Sequence, residues 1–160
     1  MNFNYPQPDV VPIPGTRTYR LVKDYLVWLP FSDKWLLIKA GFIFDGASIP
    51  RWLWSVIGHP FDPNWLAAAL IHDALYAAEL MSRHACDKEL FHVMRLTSQR
   101  GYDNARKFFI AVDLFGGFAW RQHTPKSIMD ARTECFLYDE MPARWAPWSA
   151  GDPVPHFLTA

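Results

Sequence analysis

Four residues of this sequence have the types and the spacing of an acid–base site: His72, Asp73, Tyr76 and Asp87. On a helix, His72 and Tyr76 lie on one face because they are four residues apart, whereas Asp73 points to the adjacent face. The connection around residues 80–82 is short, so a second helix must run back antiparallel. Residues equidistant from such a turn face each other, which predicts that Asp87 lies level with His72 and Tyr76.

A histidine that is held by a carboxylate can act as a general base. Asp87 would bind one ring nitrogen of His72 and fix its tautomer, and the other nitrogen could then take a proton from water. Tyr76 could donate its hydroxyl to the same carboxylate. Asp73 could hold a hard cation such as Ca²⁺, which would polarise an ester carbonyl. The alternative interpretation is a hydrogen-bonded polar cluster that only stabilises the hairpin.

The elements that must position these residues divide the chain into four segments of one predicted domain of 160 residues. Residues 1–18 are rich in proline and are predicted to form a surface arm. Residues 19–62 carry branched and aromatic residues and are predicted to form short strands that end in a turn. Residues 63–120 are predicted to form the helical core, and residues 121–160 a Trp/Pro-rich extension. The predicted fold class is α+β, with a small N-terminal antiparallel sheet packed on three helices.

The helical core is predicted from capping signals and helix propensity. The first helix follows Asp62 and Pro63, is rich in alanine and leucine, and has little polar surface, which indicates a buried central helix. The second runs from about Arg83 to Gln99. The third begins after Asp103 and weakens near residues 115–117, where two glycines follow each other. A further helix is predicted from Pro125 to about Leu137.

Composition restricts the class of function. Hydrophobic residues make up 51% and charged residues 20%, which is typical of a folded domain and not of a disordered chain. The 16 basic and 16 acidic side chains cancel, so no nucleic-acid partner is expected. Two cysteines exclude a scaffold of several disulfides. No signal peptide and no transmembrane segment are predicted, because no apolar run approaches the ~18 residues of a membrane span.

A longer pattern surrounds the candidate site. Residues 41–51 read GFIFDGASIPR, residues 68–76 read AALIHDALY, and Arg83 and Asp87 follow. This pattern resembles a domain family of unknown function that is common in tailed phages and prophages. The resemblance covers roughly residues 19–118. It implies a protein of the host cytoplasm or of the virion, with other phage structural proteins as partners.

The helical part of the pattern is also similar to the phospholipase A-two signature, in the form found in parvovirus capsid lipases. The resemblance implies that His72 is the general base and that Asp87 is its carboxylate partner. It implies that Asp73 is a side-chain calcium ligand and that Tyr76 donates to the catalytic pair. The implied substrate is a phospholipid.

The calcium loop of those lipases is glycine-rich, so that its carbonyls can turn towards the cation. The corresponding segment here contains one glycine, Gly46, which is the second residue predicted at the metal, and Asp45 could serve as a substitute ligand. Arg51 is expected to support the site by pairing with a buried carboxylate, with a lipid or peptide phosphate as the alternative partner.

Three functions follow from these patterns. The first is a calcium-assisted hydrolase of lipid esters. The second is a non-catalytic virion or tail component that keeps the hairpin as a scaffold. The third, weaker alternative is a zinc-dependent hydrolase, for which the candidate ligands are His59, His84, Cys86 and His92.

Overall fold

The computed structural model describes residues 5–46, 63–97 and 102–142, without the side chains of residues 102–104. Five strands precede four helices, and a sixth strand follows them in this part of the chain. The strands are β1 (Val10–Pro12), β2 (Tyr19–Leu21), β3 (Tyr25–Leu29), β4 (Lys34–Ile38), β5 (Ile43–Phe44) and β6 (Cys135–Tyr138). The helices are α1 (Leu66–Ala78), α2 (Arg83–Thr97), α3 (Tyr102–Trp120) and α4 (Pro125–Arg132). The fold is α+β, as predicted.

The strands form two antiparallel sheets of three strands, in the orders β1-β2-β5 and β3-β4-β6. The prediction of one N-terminal sheet is therefore corrected in two ways. Residues of the predicted surface arm form strand β1, with Pro12 opposite Tyr19 on an edge strand, where a residue that cannot donate a hydrogen bond is tolerated. Strand β6 comes from the C-terminal segment and pairs with β4.

Helix α1 is the centre of the fold. Its alanine- and leucine-rich sequence leaves no polar face, and all but three of its 13 residues are buried, as predicted. It packs against α2, α4, β5 and β6, and α2 packs in turn against α3. These contacts bring the end of β5 against the middle of α1, where His72 and Asp73 lie.

The helix boundaries differ from the prediction at several points. Helix α1 begins after Trp65, which is its N-cap residue, and Asp62 lies outside the described residues. Helix α3 continues through the two glycines to Trp120. The helix predicted to end near Leu137 ends at Arg132, because the next residues pair with the free edge of β4 and bury Cys135. A fourth helix, α4, packs on α1 from outside the core, and none of its residues is buried.

In the described part of the chain, no helix is both long enough and apolar enough to cross a membrane.

Candidate active site

His72 and Asp87 are in direct contact between the antiparallel helices α1 and α2. The distance between Nε2 of His72 and Oδ1 of Asp87 is 3.0 Å. The two side chains are almost completely buried, with exposed fractions of 3% and 0%. The contact that the hairpin spacing predicted is confirmed. In the neutral imidazole, Asp87 accepts the hydrogen of Nε2, which leaves the lone pair on Nδ1.

Asp87 receives two further hydrogen bonds, and both agree with an ionised carboxylate. The Tyr76 hydroxyl donates to Oδ1 at 2.7 Å, and Nη1 of Arg83 donates to Oδ2 at 3.3 Å. The same guanidinium donates to the carbonyl of Asp113 on α3 at 2.9 Å. Asp87 thus has a cation and two more donors around its carboxylate, and these partners compensate the cost of burying it.

The second ring nitrogen of His72 lies in a different environment. Its Nδ1 is buried, lies 3.7 Å from Oδ1 of Asp73, and has no hydrogen-bond partner among the described residues. Burial lowers the pKa of His72, but the polar interactions of the ring with the carboxylates of Asp73 and Asp87, together with their negative charges, outweigh it, so that the net pKa is raised above 6.5. His72 is therefore a more basic histidine than a free one, and its available lone pair is on Nδ1.

Gly116 on α3 makes room for the Tyr76 hydroxyl. A Cβ atom at position 116 would lie 2.5 Å from that oxygen, whereas a Cβ at Gly117 would meet nothing within 4 Å. The pair of glycines had been expected only to weaken the helix. One of them instead lets α3 approach the hydroxyl that binds Asp87, and Trp120, one turn further on, packs edge-on against the Tyr76 ring at 5.0 Å.

The candidate site opens into a cavity of about 220 Å³ between β5, α1 and the end of α3. This volume is many times the ~10–15 Å³ that a cavity needs in order to hold one water molecule. The apolar part of the lining comes from strand β5, from Phe42 just before it, and from two alanines of the helices. The lining residues are Thr18, Phe42, Ile43, Phe44, Asp45, His72, Asp73, Tyr76, Ala77, Ala119 and His123.

Two carboxylates share this cavity, Asp45 at the exposed rim and Asp73 beside His72. The negative charge of Asp73, together with burial, raises the pKa of Asp45 to about 6. Gly46, at a φ of 74°, donates its N–H to Oδ2 of Asp73 at 2.7 Å. The backbone N–H of Gly46 thus donates to Asp73. A metal ion would instead bind the backbone carbonyl oxygen of Gly46.

The Asp45 and Asp73 carboxylates together have the negative charge and the oxygen ligands that suit a divalent cation. Within residues 5–46, 63–97 and 102–142, however, no group of three or more His, Cys, Asp and Glu side chains could hold a metal ion. The candidate zinc ligands do not converge: Cys86 is buried with its thiol towards the Met81 carbonyl, His84 lies beside Asp113, and His92 stacks on Phe31. His59 and Arg51 lie outside the described residues, and the predicted role of Arg51 stays a prediction.

Sequence reasoning missed a second histidine–carboxylate pair at the same cavity. Nδ1 of His123 lies 3.0 Å from Oε1 of Glu79, and both side chains are partly exposed. The two residues are 44 positions apart, in a loop after α3 and at the C-cap of α1. No periodicity links such positions, so no sequence signal could have paired them.

Comparison with known proteins places the chain in a family. An uncharacterized protein of Sinorhizobium fredii (strain NBRC 101917 / NGR234), y4jT, is 32% identical over 98 residues, which is 61% of this chain and 29% of that protein. The matching segment is thus less than a third of the relative's length. No solved structure matches the chain. The pattern of the family described as protein of unknown function (DUF1353) matches residues 19–112. The chain belongs to that family.

Proposed function

We propose that this member of the DUF1353 family is an ester hydrolase of the phospholipase A-two type, with His72 as its general base. One observation carries the proposal: a buried histidine lines the cavity with one ring nitrogen bound to Asp87 and the other without a partner among the described residues. A buried nitrogen without a partner is costly in a purely structural cluster. It is what a general base requires, because its lone pair must be free for the proton of water.

In this mechanism, a water molecule in the cavity gives a proton to Nδ1 of His72 while its oxygen attacks the ester carbonyl. The imidazolium that forms keeps its Nε2–H on Asp87, whose negative charge stabilises it. Tyr76 and Arg83 hold the carboxylate of Asp87 in place and keep it from rotating away from the ring. The apolar lining from Phe42, Ile43 and Phe44 supports a substrate with an acyl chain beside its ester.

Calcium remains the proposed cation, and Asp45 and Asp73 are the side chains that would hold it. The charge of the pair supports this proposal, and calcium also takes water oxygens as ligands. Bound calcium would polarise the ester carbonyl. The steps assigned to His72 and Asp87 do not depend on it.

The test measures fatty acid released from phospholipid vesicles by the wild-type protein and by His72→Gln, with calcium and with a chelator. Removal of a general base is expected to lower the rate by ~10²- to 10⁴-fold while circular dichroism shows an intact fold. His84→Gln is the matched control, because His84 is 60% exposed and does not line the cavity. Absence of fatty acid release by the wild-type protein in both conditions would refute the proposed function.

A second candidate is a non-catalytic component of a virion or tail. It is favoured by three exposed apolar side chains spaced four residues apart on α3, Ile110, Leu114 and Phe118. Residues with this spacing lie on one helical face, and exposed apolar patches often mark protein interfaces. This candidate predicts that His72→Gln lowers the free energy of unfolding and that neither protein releases fatty acid.

A further inference from the structure

His123 and Glu79 form a second pair at the cavity that contains His72. The distance between Nδ1 of His123 and Oε1 of Glu79 is 3.0 Å, equal to the distance in the His72–Asp87 pair. His123 lines the cavity together with His72, and ring contacts connect the two histidines through Tyr76 and Trp120. We infer that His123 is the general acid that protonates the alcohol leaving group, with Glu79 as its positioning residue. This inference rests on the proposed function.

The backbone holds both members of the pair in fixed positions. Glu79 ends α1 in the left-handed conformation, with a φ of 45°, where glycine is the favoured residue. Its backbone carbonyl accepts a hydrogen bond from Arg132 at 3.1 Å. His123 stands between the last turn of α3 and the N-cap Thr124 of α4, with its N–H bound to the Trp120 carbonyl at 3.3 Å. A glutamate at a glycine-favouring position points to a use for its side chain.

The environment of His123 suits a proton donor. Its ring is 19% exposed, against 3% for His72, so it can exchange protons with solvent between turnovers. Glu79 binds Nδ1, which leaves Nε2 to carry the transferable proton. The carboxylate of Glu79 compensates the positive charge of the imidazolium, as Asp87 does for His72.

Hydrolysis consumes one water molecule and breaks one ester bond. Water loses one proton to Nδ1 of His72 and forms a bond from its oxygen to the carbonyl carbon. The bond between that carbon and the alcohol oxygen then breaks, and the oxygen takes the proton from Nε2 of His123. The products are a carboxylic acid and an alcohol. Release of a proton from His72 to solvent and uptake of one by His123 restore the starting state.

Leaving-group dependence tests the inference, because only an alkoxide needs a proton as it departs. Two substrates with the same acyl chain are compared, a glycerophospholipid ester and a p-nitrophenyl ester, whose phenolate leaves without protonation. His123→Gln is expected to lower kcat for the phospholipid by ~10²-fold or more and to leave the aryl ester within a few-fold. Added imidazole should restore part of the phospholipid rate. Glu79→Gln should show the same preference with a smaller loss, and His84→Gln should change neither rate.

The outcomes separate this inference from the proposed function. Wild-type hydrolysis of both esters with an equal loss in His123→Gln, or with no loss, would overturn the role of His123 and leave that of His72 standing. Failure of the wild-type protein to hydrolyse either ester would overturn both. Circular dichroism spectra show whether a variant has lost activity because it is unfolded. Added imidazole cannot restore the activity of an unfolded variant.

Discussion

The two histidine–carboxylate pairs have the same nitrogen–oxygen distance, 3.0 Å, but lie in opposite environments. In the His72–Asp87 pair, 3% and 0% of the side chains are exposed, and in the His123–Glu79 pair 19% and 25%. Asp87 has three donors from three side chains. Water can reach both members of the His123–Glu79 pair, which is the rim pair of the cavity.

Burial, and not distance, decides what each pair contributes. A buried charge that loses its partner cannot be solvated, so the buried pair is coupled tightly to the fold. In a pair at the rim, a group that loses its partner is solvated by water, at little cost in free energy. The buried pair therefore suits a base that must keep one orientation, and the rim pair suits a group that exchanges protons with solvent. Four experiments test this contrast and the charges around the cavity.

The largest difference is expected between Asp87→Ala and Glu79→Ala. Loss of Asp87 leaves the buried His72 ring and the Arg83 guanidinium without their shared partner, which should lower the free energy of unfolding by ~3–5 kcal/mol. Loss of the partly exposed Glu79 side chain should cost less than ~1 kcal/mol. Urea denaturation at pH 7 measures both values. Similar losses in the two variants would contradict the contrast.

A smaller effect is expected from Gly116→Ala, which tests the support of the buried pair. The new Cβ would lie 2.5 Å from the Tyr76 hydroxyl, so the ring must move away from Asp87, at a cost of ~1–3 kcal/mol. Gly117→Ala is the matched control one residue away. Its Cβ meets nothing within 4 Å, and it should stabilise the helix by ~0.5–1 kcal/mol. The two variants should therefore shift the urea midpoint in opposite directions.

The raised pKa of His72 predicts opposite pH trends for stability and activity. Protonated His72 is favoured in the folded state, so this contribution is fully present below the unfolded value of about 6.5 and is lost as pH rises through the folded pKa. Hydrolysis of the p-nitrophenyl ester, which needs the neutral His72 ring but no general acid, should instead increase with pH over that range. Unfolding curves of wild type and His72→Gln from pH 5 to 9 test the first trend. A stability difference between them that does not change with pH would refute it.

The smallest effect is expected for Asp45→Asn. Asp73 raises the pKa of Asp45 from 3.8 to about 6, so the folded state binds more protons than the unfolded state between these values. Ionised Asp45 therefore destabilises the fold above about pH 6. Because Asp45 is exposed at the rim and its charge is screened, the gain from Asn should stay below ~1 kcal/mol. Thermal unfolding should show this gain at pH 8 and none at pH 3.5. Added calcium should reduce it if the carboxylate pair binds the cation.

The buried pair was predictable from sequence, because it depends on local rules. Helix periodicity places His72 beside Tyr76, and a short connection brings Asp87 level with them. The close approach of Gly116 to the Tyr76 hydroxyl, which supports this pair, was not predictable because it is a contact between α3 and α1. A pair of glycines in a helix gives the same local signal whether it weakens the helix or makes room for a neighbour.

Propensity and periodicity over short stretches of sequence were sufficient to predict the α+β class, the buried character of α1 and the pairing of His72 with Asp87. The packing of distant elements determines instead that residues of the C-terminal segment form strand β6 and complete a sheet. The same packing brings Glu79 into contact with His123, 44 positions further along the chain. Contacts between residues so far apart depend on how several elements pack together. Local patterns carry no information about that packing.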